Sequence, residues 1–117
     1  MKYLVLLIGD GDEKPWAEHT EAEMGAQMQR FDDFSTACDA AEGVTILSGE
    51  ALGEGDAATT VRHRGGRREI TDGPYAEAVE ALGGYFLLEA PTLDVVLELI
   101  EKLPAYDFQI NPVVDPI

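Results

Sequence analysis

The chain holds one cysteine, two histidines, three lysines and no apolar run long enough to span a bilayer, and each scarcity removes a class of function. The lone Cys38 excludes an internal disulfide and fits a reducing cytosol. His19 and His63 stand far from each other and from Cys38, so no zinc-type spacing is present. The phosphate-cradling patterns G-x-x-x-x-G-K-[ST] and G-x-G-x-x-G are missing, as is a serine nucleophile elbow. No metal and no cofactor is therefore expected. A membrane-crossing helix needs about 20 apolar residues. The first apolar run, residues 3–8, gives way at once to Gly9-Asp10-Gly11-Asp12, too short for a signal peptide and suited to a first strand. The expectation is a cytoplasmic protein with no membrane partner.

What is plentiful is negative charge. Against 8 basic residues stand 23 acidic ones, a formal net charge of −15. Such a surface repels nucleic acid and anionic lipid, so neither is expected as a partner. The surplus suits an Ala/Gly/Asp/Glu-rich proteome, or adaptation to high salt, where screening removes the self-repulsion. The 117 residues, 45% of them apolar, suit a single domain over 1–117.

The pattern along the chain is β-α-β-hairpin-β-α-β. Residues 3–8 are apolar at every position, as in a strand buried on both faces. Thr20-Glu21-Ala22-Glu23 is a capping box that opens a helix, with Met24, Met28, Phe31, Phe34 and Cys38 at helical spacing as its core stripe and Gly43 as its stop. Residues 44–47 begin a second strand that continues to 52. Residues 59–64 and 67–71 flank Gly65-Gly66, a two-residue hairpin turn. Its register pairs Val61 with Ile70, His63 with Arg68, Arg62 with Glu69 and Thr59 with Asp72. The Val61/Ile70 pair marks the expected inward face, shared by His63, Arg68 and Asp72. The face with Thr60, Arg62, Arg64 and Arg67 is expected in solvent. Residues 84–90 form another strand, continuously apolar through Tyr85-Phe86-Leu87-Leu88. Thr92 caps a second helix with Leu93, Val96, Leu97, Ile100 and Leu103 on one side, and Pro104 ends it. Phe108, Ile110 and Pro112 alternate in a last strand, which proline places at a sheet edge. This order matches an α+β, ferredoxin-like βαββαβ sandwich with an inserted β-hairpin, the first and third core strands in the middle. Helices cover one sheet face, and a second copy of the chain is the simplest cover for the other, so a homodimer is expected.

Residues 71–85, TDGPYAEAVEALGGY, resemble the Asp-Gly-Pro-Phe motif of the DGPF-domain branch of the YCII-related proteins. The start MKYLVLLIGD, the run Gly49-Glu50-Ala51-Leu52, the run Thr59-Thr60-Val61-Arg62 and the close Leu82-Gly83-Gly84-Tyr85 look like the same family. The resemblance implies a dimeric α+β barrel, two chains closing their open sheet faces together, in small bacterial-type cytosolic proteins. It also implies a link to sigma-factor stress regulation, since several relatives are encoded beside such factors. Two departures stand out. Ala78-Val79 occupies the place of a Thr-Lys pair common in the family. The histidine and aspartate proposed as a catalytic pair in the classical YCII branch have no counterpart, because residues 103–106 read Leu-Pro-Ala-Tyr and only His19 lies ahead of the first helix.

The candidate catalytic residues are Asp72, His63 and His19. Asp72 is either an inward carboxylate, able to act as a base, or a turn residue that accepts its own backbone amides before Gly73-Pro74. His63 is an acid/base group on the inward hairpin face or a solvated tip residue. His19 is a base at a helix start, where the dipole disfavours its protonation, or a residue that merely precedes the cap. The candidate ligand-binding residues are Tyr75, Tyr85, Glu50 and Arg62. The tyrosines either wall a pocket or fill the core with hydroxyls at the rim. Arg62 either grips an anion or pairs with Glu69 across the hairpin. Two functions fit: a non-catalytic dimer with a small-molecule-binding cleft, or a small metal-independent lyase or isomerase that uses Asp72 with His63 or His19.

Overall fold

The computed structural model describes residues 1–9, 16–53, 57–75 and 82–115. Residues 10–15, 54–56, 76–81 (with the Ala78-Val79 departure) and 116–117 lie outside the described residues. Six strands run in chain order: β1 (Lys2–Ile8), β2 (Thr45–Ala51), β3 (Thr59–Arg64), β4 (Arg67–Asp72), β5 (Leu82–Glu89) and β6 (Asp107–Pro112). Helix α1 is Glu21–Ala40 and α2 is Leu93–Leu99, with 3-10 turns at Trp16–Glu18 and Ile100–Lys102. The four long-range strands form one sheet in the order β2-β5-β1-β6, every neighbouring pair antiparallel. The chain is thus α+β, and its order is compatible with the ferredoxin-like topology. β1 and β5 occupy the middle and β6 an edge. No helix among the described residues is long and apolar enough to cross a membrane.

Alternation in β1 decides which face is dry. Tyr3, Val5 and Leu7 are buried beneath the helices, while Leu4, Leu6 and Ile8 point to the opposite face and are only half-buried. Phe34 and Cys38 of α1 and Val96, Leu99, Ile100 and Leu103 after Thr92 close the core over Val5 and Leu88. The Phe34 ring stands 4.9 Å from that of Phe86. Both helix starts form as their sequences require. Thr20 Oγ1 accepts from the Glu23 amide while Glu23 Oε1 accepts from Thr20 N, and Thr92 Oγ1 accepts from the Val95 amide. Arg30 then ties the layers together. Its guanidinium donates to Leu103 O at 2.8 and 3.1 Å and to Glu101 O at 2.9 Å, satisfying carbonyls left open where α2 ends.

Two side-chain expectations fail in the helices. Met28 is 54% exposed. The buried stripe centres on Phe34 and Cys38, and Met28, six positions before Phe34, lies about 120° around the helix from it. In the second helix Leu93 and Leu97 are exposed, while Leu99 takes the core position.

Cys38 is fully enclosed. Burial pushes its thiol from 9.0 to about 11, and the Asp39 carboxylate adds to the shift. The unfolded thiol ionises first, so the contribution of Cys38 is complete below about pH 9 and is lost as pH rises toward 11. The unfolding free energy from urea melts should fall between about pH 8 and about pH 10.5 for the wild type, by up to about 1.4 kcal/mol per pH unit above about pH 9. The Cys38→Ala chain should lack this component of the fall.

The hairpin departs most from expectation. β3 and β4 pair in the predicted register, from Thr59↔Asp72 to Arg64↔Arg67, but they form a sheet of their own. Val61 and Ile70, expected to face inward, are 48% and 56% exposed in the single chain. Thr60, expected in solvent, is buried, because the chain after β4 turns back over that face: Thr60 Oγ1 donates to Gly73 O at 2.7 Å and the Gly73 amide donates to Ala58 O at 2.7 Å. All of β4 is exposed. The radius of gyration, 16.3 Å, exceeds the roughly 13 Å of a compact domain of this length. The hairpin is an arm held at its base.

Candidate functional site

The open face of the four-stranded sheet owes its chemistry to one extra residue. In β2, Ile46 pairs with Leu88 and the next pair is Ser48 with Leu87, so Leu47 is a bulge. Without it, simple alternation from Ile46 would aim Ser48 and Glu50 at the helices. The bulge swings both to the open face, a known use of such insertions. Gly49 then meets the helix side, where Phe86 lies so close that a Cβ would stand 2.5 Å from its ring. Leu47 itself is left 45% exposed on the sheet edge.

Two rows of side chains result. Across one row stand Ser48, Leu87, Leu4 and Asn111, and across the next Glu50, Tyr85, Leu6 and Gln109. The middle of each row is apolar and its ends are polar. The Ser48 and Tyr85 hydroxyls share a hydrogen bond of 3.0 Å. Only one of the two protons is consumed by that bond, so the pair keeps an O–H donor and several acceptor lone pairs for a third group. Glu50, directly opposite Tyr85 and exposed, adds a carboxylate acceptor. No helix among the described residues covers this face. Together these groups can hold a small molecule that lays an apolar part on Leu4, Leu6 and Leu87 and offers hydroxyl or amino groups to Ser48, Tyr85 and Glu50.

The other candidates gather on the arm. Arg62 stands opposite Glu69 in the ladder, but no ion pair joins them among the described residues. Its Nη2 donates to Tyr75 O at 2.9 Å, its Nη1 lies 3.5 Å from Thr71 Oγ1, and its guanidinium sits 4.7 Å above the Tyr75 ring. This cation–π contact and hydrogen bond lock the Asp72-Gly73-Pro74-Tyr75 turn onto the hairpin. Gly73 takes φ = +103°, which permits the reversal. Tyr75 therefore packs on the Arg62 side of the hairpin, whereas Asp72 belongs to the opposite side with Thr59, Val61 and His63. The structure does not bring Asp72 and Tyr75 together on one face. Asp72 and His63 are exposed. His19 is half-buried just ahead of the Thr20 cap. The backbone of β5 approaches β2 closely at Gly84, where a Cβ would stand 2.9 Å from Glu50 O. A groove of about 290 Å³ on the helix layer, lined by Asp33, Thr36, Ala37, Ala40 and Lys102, lies apart from all these residues. Among the described residues no group of three or more His, Cys, Asp or Glu side chains is placed to hold a metal ion.

Ser48 was not among the sequence candidates. Its signal was the glycine at 49 inside an otherwise strand-like run, a mark of a bulge or a close approach.

Comparison with known proteins adds a family and a relative. The model of the YCII-related domain matches residues 1–115. An uncharacterized protein of Rhizobium meliloti (strain 1021) is 40% identical over 47 residues, which span 40% of this chain and 38% of that protein's length.

Proposed function

The chain belongs to the YCII-related family, and from that premise we propose that it is a dimeric small-molecule-binding protein whose site is the open face of the four-stranded sheet. One observation carries this reading: the Leu47 bulge turns Ser48 and Glu50 onto the same face as Tyr85, where two hydroxyls and a carboxylate border an apolar floor. The bulge spares the fold a carboxylate beneath the helices, and it sets that carboxylate and the Ser48 hydroxyl beside Tyr85 on the uncovered face. A cleft with an apolar lining and a few convergent polar groups is the common form of a small-molecule site. A binding role rather than turnover also suits a protein of the stress-regulation circuits that the DGPF resemblance implies.

A thermal-shift screen of small amphipathic alcohols and amines tests the proposal. Compounds that raise the melting temperature of the wild type should bind the Tyr85→Phe and Glu50→Gln chains about tenfold or more weakly. Each variant alone should lose only about 1 kcal/mol of stability or less. Hits that bind both variants as tightly as the wild type place the site elsewhere.

A further inference from the structure

The open sheet face has a second polar end. On the edge strand β6, Gln109 and Asn111 lie two positions apart, hence on the same side, level with Leu6 and Leu4. Their side chains are joined: Gln109 Nε2 donates to Asn111 Oδ1 at 2.8 Å. Edge strands are commonly blunted by charge, yet in a chain of which 26% is charged these two positions are neutral carboxamides. The one bond between them leaves open the second Gln109 N–H, both Asn111 N–H groups and lone pairs on both carbonyl oxygens.

The opposite end, on β2, has different chemistry. Ser48 and Tyr85 present hydroxyls, and Glu50 presents a carboxylate that no ion pair occupies among the described residues. Between the two ends lies the apolar floor of Leu4, Leu6 and Leu87. The floor has a direction. Along the strands it is stopped beyond Leu4 and Leu87 by Lys2 and Glu89, which pair in the next row. Across the strands it runs from β2 to β6, three strand spacings or about 14 Å. A hydrogen bond of about 3 Å at each end leaves about 8 Å between the terminal polar atoms of a molecule that bridges them.

We propose that the molecule bound there is two-headed, an amine and a carboxamide at the ends of a short apolar chain, lying across the strands with its amine at Glu50 and its amide at Gln109 and Asn111. Charge selects the amine. Glu50 and a net charge of −15 attract a cation and repel an anion. An ammonium has three donors and no acceptor, which suits a carboxylate beside two hydroxyl oxygens. At the β6 end donors and acceptors stand side by side. A carboxamide carries both and meets each with its complement. A carboxylate only accepts, so it leaves the carbonyl oxygens of Gln109 and Asn111 unmatched, and its charge has the sign of the protein's own. The inference rests on the open face being the binding site. It adds a second contact end, an orientation and a length.

Four small probes read all three. With bonds of about 1.5 Å, extended aminohexanamide, its amine and amide at opposite ends of a six-carbon chain, matches the span. Hexylamine and hexanamide each lack one head, and glycinamide has both heads but no reach. In amide NMR titrations of the full-length chain, aminohexanamide should bind about tenfold or more tightly than any of the other three, with shifts at both 48–50 and 109–111. The Gln109→Ala/Asn111→Ala chain should bind aminohexanamide no more tightly than the wild type binds hexylamine. Both positions are exposed, so the cross-peaks of the buried Phe34 and Val96 should keep their wild-type positions. The comparison of probes on the wild type needs no variant at all. Aminohexanamide that binds no better than hexylamine, or that keeps its affinity in the double variant, overturns the two-headed ligand. So does the absence of any shift on the open face with all four probes. Failure of the Tyr85→Phe and Glu50→Gln screen removes the site itself, whereas a tie between aminohexanamide and hexylamine removes only its second end.

Discussion

Replacing Phe34 with alanine should cost about 3–5 kcal/mol, the range for emptying an aromatic site in a closed core. Phe34 has no exposed surface and its ring is packed against that of Phe86. Neighbours cannot collapse into the space, because Phe86 is fixed on the middle strand β5 and Cys38 sits one helical turn further along α1. A domain of this size has about 5–15 kcal/mol in total, so the variant should lie close to unfolding at 37 °C. Met28→Ala, on the same helix but largely exposed, should change stability by about 0.5 kcal/mol or less. Urea melts of the two variants side by side check the contrast. Equal losses would mean that α1 does not bury the face described.

The second large effect belongs to the glycines behind the site. Gly49→Ala places a methyl 2.5 Å from the Phe86 ring, and Gly84→Ala places one 2.9 Å from the backbone oxygen of Glu50. The Phe86 ring cannot swing freely, with Phe34 at 4.9 Å and Phe31 at 6.4 Å. The Glu50 carbonyl belongs to the ladder that joins β2 to β5. Each substitution should therefore cost about 1–3 kcal/mol through overpacking. The Gly84 variant should also displace Glu50 and weaken binding at the open face. Gly25→Ala is the control. Nothing lies within 4 Å of its added methyl, and alanine in a helix interior should raise stability by about 0.5–1 kcal/mol. Chemical denaturation of the three variants checks the order.

Much of this fold was legible in the residues because its signals are local. The Thr20 and Thr92 caps, the Gly65-Gly66 turn and the register it sets depend on residues a few positions apart, and all form as expected. The central places of β1 and β5 followed from their unbroken apolar runs. The faces of the arm were not legible. A hairpin with a Val/Ile pair on one side predicts burial of that side only if the hairpin joins the sheet, and β3–β4 stands apart from it. Nor did a strand pattern in 44–52 reveal that Leu47 would bulge and change the aim of Ser48 and Glu50. That depends on β5, nearly forty residues later, whose Phe86 requires a glycine opposite it. Tyr85 and Glu50 were among the expected site residues and lie side by side on the open face. Asp72, His63, Arg62 and Tyr75 lie on or beside the arm, split between its two sides, because Arg62 draws the turn after β4 onto one side only.

The most direct test of the open-face site is a two-dimensional amide NMR titration of the labelled chain with a hit from the amphipathic alcohol and amine screen. The expected result is a set of shift changes concentrated at residues 4–6, 48–50 and 85–87, absent when the same compound is added to the Tyr85→Phe chain. Shifts confined to the α1 groove around Asp33, Thr36 and Lys102, or unchanged by the Tyr85→Phe substitution, would contradict it.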